Sequence, residues 1–148
     1  MTTRLSFSGI LLVAVLSACI PQVAPPAPIS PPEAPVSEAL ARVTLAGTRW
    51  TLVSINGAAP KSERASLAFG SERLSMTAGC NGIGGNWSLV SGRLVGGPYV
   101  STMMFCDGLM DQERALGALL EARPDIVLEG DRLIMRSAQY SAIFRRAP

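Results

Sequence analysis

The sequence predicts an α+β fold, mostly β, in which a small antiparallel curved sheet or partly open barrel carries one packed α-helix. Apolar residues alternate with polar ones through most of residues 43–148, which is the period of half-buried strands. Turn signals such as Asn56-Gly57 separate the alternating runs. The period changes to that of a helix in one segment only, after residue 107.

The strands predicted before the helix are short and follow one another closely. Alternate residues of the third run share one face from Leu74 to Cys80, and alternate residues of the fifth run do so from Val100 to Cys106. The runs, in chain order, are 50–55, 67–69, 74–80, 87–89 and 100–106.

The helix is predicted from five apolar residues that fall on one of its faces, Leu109, Met110, Leu116, Leu119 and Leu120. Asp107 is the predicted N-cap and Pro124 ends the helix. Three more strands follow, at 126–128, 133–135 and 140–144, with a turn at 129–131 between the first two.

Composition bounds the function. A chain of 148 residues with 48% apolar residues has room for one ordinary domain with a buried core. Thirteen basic and eleven acidic residues balance too evenly to indicate nucleic acid or a strongly anionic surface. The chain has no histidine and one lysine, Lys61, which removes the usual general base and the commonest zinc ligand. We therefore expect no enzyme, no catalytic residues, no metal site and no cofactor.

Residues 1–18 read as a lipoprotein signal peptide. Arg4 supplies a positive start, an apolar run follows, and Leu16-Ser17-Ala18-Cys19 is a lipobox that predicts acylation of Cys19. The alternatives are a plain secretory signal and a short anchor helix. Ile20 is not the aspartate that retains many lipoproteins in the inner membrane, so the expected location is the bacterial outer membrane, facing the periplasm.

Residues 19–42 follow as the acylated cysteine and a proline-rich tether. Seven of the eleven prolines lie in this segment, which favours extended polyproline II over helix or sheet. The tether is predicted to hold the domain at 43–148 off the membrane, with a proline-rich docking site as the alternative.

Cys80 and Cys106 form an even pair once Cys19 is acylated. Export places them in an oxidising compartment, so a structural disulfide is predicted, with both residues pointing into one core. A redox-active pair is the alternative, although such pairs favour a C-x-x-C spacing that is absent here.

Three further features have a structural and a functional interpretation. The glycine-rich segment 79–85 is predicted to be a tight turn with left-handed residues rather than a phosphate loop. Glu113 is predicted to lie at the edge of the helical stripe, paired with an arginine, rather than to act as a catalytic acid. Met103-Met104-Phe105 is predicted to be core, with a ligand or partner surface as the alternative.

These segments resemble the META/HslJ-like domain family of bacterial lipoproteins. The resemblance extends over residues 43–148 and includes the opening residues 47–52. A basic residue is usual after the threonine of the family pattern, and Met103 stands there in this chain. The family-motif positions are Gly79, Cys80, Asn81, Thr102, Met103, Cys106 and Glu113.

The resemblance implies a small β-rich domain with one helix across the sheet. It also links the chain to heat-shock induction and novobiocin resistance in the cell envelope, without an enzymatic activity. We therefore expect a lipid-anchored protein that binds an envelope partner in envelope maintenance or stress tolerance. The alternative is an inhibitor of a periplasmic hydrolase such as a lysozyme, whose inhibitory loop would be residues 61–64.

Overall fold

The computed structural model describes residues 44–148, which contain nine strands and one helix. The signal peptide, Cys19 and the tether predicted for residues 1–42 lie outside the described residues. The elements are β1 Thr48–Ile55, β2 Ser66–Phe69, β3 Arg73–Thr77, β4 Gly82–Val90, β5 Arg93–Gly96, β6 Val100–Ser101, α1 Met110–Glu121, β7 Asp125–Glu129, β8 Arg132–Arg136 and β9 Ser141–Arg146.

The strands form one antiparallel sheet that closes into a ring. Neighbours follow the order β3, β2, β1, β9, β8, β7, β5 and β4, and β4 then pairs with β3. β6 also pairs with β4, at Ile83 and Gly84, while β5 pairs with residues 87–90 of β4. Because β3 occupies the other side of β4, β5 and β6 follow each other along the same side. The predicted mostly β fold is confirmed, and the sheet is a closed barrel.

The helix spans this ring. It contacts β1 and β5, which stand four positions apart around the eight-stranded ring and are therefore on opposite sides of it. Leu116, Leu119 and Leu120 are buried in a core that also contains Trp50 and Phe144. Because the barrel, the helix and this core all lie within the described residues, residues 43–148 form a domain that is expected to fold alone.

The turn predicted at Asn56-Gly57 is confirmed. Asn56 has φ 50° and Gly57 has φ 80°, the left-handed conformation that both central residues of a type I′ turn require. Ile55 and Ala58 exchange two backbone hydrogen bonds of 2.9 Å across it.

Two predictions next to the helix are wrong. The strand predicted over 100–106 ends at Ser101, and residues 102–106 are irregular. Asp107 is not the N-cap: that position is Leu109, which makes no side-chain cap bond. The Leu109 N–H binds the Cys106 carbonyl at 3.1 Å, so a turn separates Asp107 from the helix.

The glycine-rich segment is mostly strand, which corrects the predicted turn. Gly79 alone in this segment has a positive φ, 111°, whereas Gly82, Gly84 and Gly85 belong to β4. Close packing explains Gly85, because a Cβ there would lie 2.6 Å from the Tyr99 ring. The Tyr99 hydroxyl is buried with no hydrogen-bond partner among the described residues, and desolvation raises the pKa of this hydroxyl.

Replacing Gly85 with alanine is expected to lower the free energy of unfolding by about 1–3 kcal/mol, because the added methyl group overpacks against Tyr99. Gly82→Ala is the matched control in the same strand, since nothing lies within 4 Å of a Cβ at that position. Urea unfolding of both variants measures the difference. Equal stabilities would show that Tyr99 yields to the methyl group.

Candidate functional site

The most unusual surface of the domain is an exposed apolar loop at residues 102–106, called here the 102–106 loop. Met103 is 95% exposed, Met104 59% and Phe105 82%. The prediction that these three residues are core is therefore wrong. Large apolar side chains exposed side by side indicate an interaction surface more strongly than scattered single ones do.

Asn81 holds this loop in place. Its side-chain N–H₂ donates to the Met104 carbonyl at 2.8 Å, and its Oδ1 accepts from the Met104 N–H at 2.8 Å and from the Thr102 hydroxyl at 2.9 Å. Asn81 is 2% exposed. The buried side-chain amide thus forms hydrogen bonds with both the N–H and the carbonyl of Met104, as the backbone of a neighbouring strand would.

Glu113 completes this arrangement from α1. Its Oε1 accepts the Asn81 backbone N–H at 2.7 Å and its Oε2 accepts the Asn81 side-chain N–H₂ at 2.8 Å. The prediction that Glu113 pairs with an arginine is wrong, since its partner is Asn81. Every hydrogen-bonding group of the Asn81 side chain is therefore used, and the buried carboxylate has two donors.

Both ends of the 102–106 loop are fastened too. Thr102 and Gly82 are linked twice at 3.1 Å, once between backbone groups and once through the Thr102 hydroxyl. The Cys106 N–H donates to the Met110 sulfur at 3.4 Å. The loop therefore has a defined backbone conformation while the side chains of Met103 and Phe105 face solvent.

Cys80 and Cys106 are joined by a disulfide whose Cα atoms are 6.4 Å apart. Both residues are half-buried at the base of the 102–106 loop, and they do not point together into the core as predicted. The bond joins the segment that contains Asn81 to the segment that contains Met104. It therefore reinforces the same contact that the hydrogen bonds of Asn81 make.

Gly79 lies directly beneath a second exposed loop, residues 61–64. A Cβ on Gly79 would lie 2.3 Å from the Ser62 hydroxyl, so only glycine fits beneath this loop. The Lys61 N–H donates to Gln112 Oε1 at 2.8 Å, and the other end of the Gln112 amide donates to the Ala78 carbonyl at 3.0 Å. The sequence does not indicate this role of Gln112, because a glutamine in a helix is usually an ordinary solvent-facing polar residue.

A groove of about 640 Å³ separates the 102–106 loop from α1. Its lining is largely apolar and includes Ile83, Met104, Phe105 and Met110. Its charged lining residues are Glu113, Arg114 and Glu121. Because Arg114 pairs with Asp111 on the same exposed face of α1, the groove has a negative balance.

The residue types at this site are suited to binding. Met and Phe side chains adapt to apolar partners, while the oxygens of Glu113 are already engaged with Asn81.

Among residues 44–148 no three side chains of the metal-binding types stand close enough to hold an ion. No helix in that range is long and apolar enough to span a membrane.

The structure brings all seven family-motif positions into one neighbourhood. Gly79, Cys80 and Asn81 precede β4, Thr102, Met103 and Cys106 lie in the 102–106 loop, and Glu113 lies in α1. The family resemblance groups these seven residues, and the structure adds the contacts between them. One feature of the sequence indicates the site: Asn81 is a polar residue between an apolar strand and a glycine-rich strand.

Comparisons with known proteins agree with this fold. An NMR structure superposes with a TM-score of 0.64 at 22% identity, covering 70% of this chain and 92% of its own. The NMR structure of a protein from Burkholderia xenovorans superposes with a TM-score of 0.56 at 21% identity, covering 86% of this chain and 99% of its own. No curated protein matches the chain.

The sequence model of the META domain matches residues 43–148. That range includes every described strand, α1 and the whole neighbourhood of Asn81. META domains are not a known enzyme family. This chain belongs to the META domain family.

Proposed function

We propose that this protein is a non-enzymatic, lipid-anchored envelope protein that acts by binding another envelope protein. Acyl chains on Cys19 would hold it in the outer membrane, with the domain in the periplasm. Its role would be envelope maintenance, or tolerance of stress and of antibiotics of the novobiocin type.

The observation that carries the proposal is the exposed and fastened 102–106 loop. Ordering a loop costs conformational entropy when a partner binds, and a loop already held in one conformation avoids that cost. Exposed Met103 and Phe105 are unfavourable in water, and a partner that covers them removes that apolar area from solvent.

The charge of the neighbouring groove narrows the kind of partner. Glu113 and Glu121 line it, and its one lining cation, Arg114, is paired with Asp111. An apolar segment that bears lysine or arginine is therefore complementary to the groove, whereas an acidic segment is repelled.

Replacing both Met103 and Phe105 with serine is expected to abolish capture of the partner without unfolding the domain, because both side chains are exposed. Residues 43–148, oxidised, serve as bait for a crosslinking pull-down from the envelope fraction, read by mass spectrometry. Val90→Ser is the control, since Val90 is an apolar side chain that is 52% exposed and lies outside the 102–106 loop. Capture of the same proteins by all three baits would contradict the proposal.

The second candidate function is inhibition of a periplasmic hydrolase such as a lysozyme. The observation that favours it is the geometry of residues 61–64. Lys61, Glu63 and Arg64 are exposed, while the backbone of Lys61 is fixed by Gln112. An inhibitory loop needs both exposure and rigidity to enter an enzyme cleft.

If this candidate holds, residues 43–148 inhibit a lysozyme at submicromolar concentration and Lys61→Ala loses most of that inhibition. A lysozyme turnover assay with Arg73→Ala as control, an exposed residue away from this loop, measures both. Absence of inhibition by the wild-type domain removes the candidate.

A further inference from the structure

The cationic side chains of the barrel are concentrated on three neighbouring strands. β1, β9 and β8 are consecutive in the ring and carry no acidic residue. The five arginines of these strands are Arg49, Arg132, Arg136, Arg145 and Arg146. The remainder of residues 44–148 has six basic and nine acidic residues. The small net charge of the chain therefore conceals an uneven distribution of positive charge over the barrel.

The strand register places Arg49, Arg132 and Arg145 together on the outer surface of the barrel. This surface is called here the arginine face. Arg145 stands directly opposite Arg132 on one side and Thr51 on the other. Arg49 lies two residues from Thr51 and is exposed, so it shares the outer side of β1. Arg146 lies at the end of β9, with its guanidinium 4.7 Å from the Trp50 ring centre.

Like charges directly opposite each other on neighbouring strands destabilise a sheet. Arg132 and Arg145 are such a pair. Glu129 on β7 stands opposite Arg132 on its other side, but the two form no ion pair, and neither ion pair among the described residues involves the arginine face. Asp125, opposite Arg136, pairs with Arg93 instead, at 2.9 Å. An arrangement that costs stability in the free domain indicates that a negatively charged surface neutralises it in use.

A row of apolar side chains crosses the same face. Val127, Ile134 and Ile143 are register partners on β7, β8 and β9, and Ile134 in the middle of the row is 5% exposed. Val127 is 43% exposed, and Val53 on β1, at the bulge beside Ile143, is 41% exposed. Apolar groups flanked by arginines match the two layers of a lipid surface, in which anionic headgroups border hydrocarbon.

We propose that the arginine face docks on a bilayer surface containing anionic phospholipid. The predicted tether at 19–42 supports this occupant, because in the sequence it precedes β1, one of the three strands, by only a few residues. β9 and β4 stand four positions apart in the ring, so the arginine face and the 102–106 loop on the β4 side are on opposite sides of the barrel. Docking would leave that loop directed away from the lipid.

The test is vesicle co-sedimentation of residues 43–148, without the acyl anchor. The expected result is binding to phosphatidylcholine vesicles that contain phosphatidylglycerol, little binding to phosphatidylcholine alone, and loss of binding as salt rises. Arg132→Gln/Arg145→Gln is expected to weaken binding about 25-fold, since each arginine near an anionic surface contributes about fivefold.

The matched control is Lys61→Gln/Arg64→Gln, which has the same net charge but leaves the arginine face intact. It is expected to bind the vesicles within about twofold of wild type. Equal loss in both double variants would show that net charge alone attracts the domain, and would overturn the proposal. Failure of the wild type to bind phosphatidylglycerol vesicles at low salt, or binding to single-stranded DNA with no vesicle binding, would overturn it as well.

Discussion

Replacing Asn81 with alanine is expected to lower the free energy of unfolding by about 3 kcal/mol. The change leaves the Met104 N–H and carbonyl without their partners and removes a donor from the buried Glu113 carboxylate. Met104 is 59% exposed, so water replaces part of its lost pairing, and most of the effect comes from Glu113. A buried polar group left without a partner costs about 1–3 kcal/mol, and a buried charge costs more. The 102–106 loop loses its main attachment at the same time.

Asn86→Ala is the matched control for this prediction. Asn86 lies five residues further along the chain, in β4, and it is exposed. Its side chain accepts one exposed hydrogen bond, from Arg73 at 3.2 Å. Its loss is expected to cost less than about 0.5 kcal/mol. Equal, small changes for Asn81→Ala and Asn86→Ala in urea unfolding would contradict the role assigned to Asn81.

The second large effect is expected from Cys80→Ser/Cys106→Ser, which removes the disulfide. The bond closes a loop with a sequence separation of 26, and its loss is expected to cost about 3–4 kcal/mol in the chain-entropy description. Hydrogen exchange is also expected to accelerate at the amide of Met104, which the bond helps to hold close to Asn81.

Reduction of the wild-type domain is the control for this variant, because it breaks the same bond without changing any other atom. Reduced wild type and the double variant are expected to unfold at the same urea concentration, well below oxidised wild type. Equal midpoints for reduced and oxidised wild type would show that the bond contributes no stability.

The sequence predicts the strands well where alternation and turns agree. The Asn56-Gly57 turn and the strand pair around Gly130 are examples, since both depend on contacts between near neighbours in the chain. The alternation from Thr102 to Cys106 is misleading because Asn81, a side chain 23 residues away from Met104, takes the place of a partner strand. A long-range contact of that kind leaves no periodic signal.

The arginine face shows a second limit of sequence reasoning. Period-two counting places Arg49 and Arg145 on the outside of their own strands. It does not bring them together, because β1 and β9 are the first and last strands of residues 44–148 and are far apart in sequence. The net charge of +2 is a sum over the whole sequence, so it does not reveal that arginines are concentrated on one face.

Site-specific photo-crosslinking in living cells tests the central claim, that the 102–106 loop is the binding surface. A benzophenone amino acid replaces Phe105 in one full-length protein and Val90 in another, since both positions are exposed. A single envelope protein joined to position 105 and absent from position 90 is the predicted result. Adducts at position 90 with none at position 105, or the same adducts at both, would contradict it.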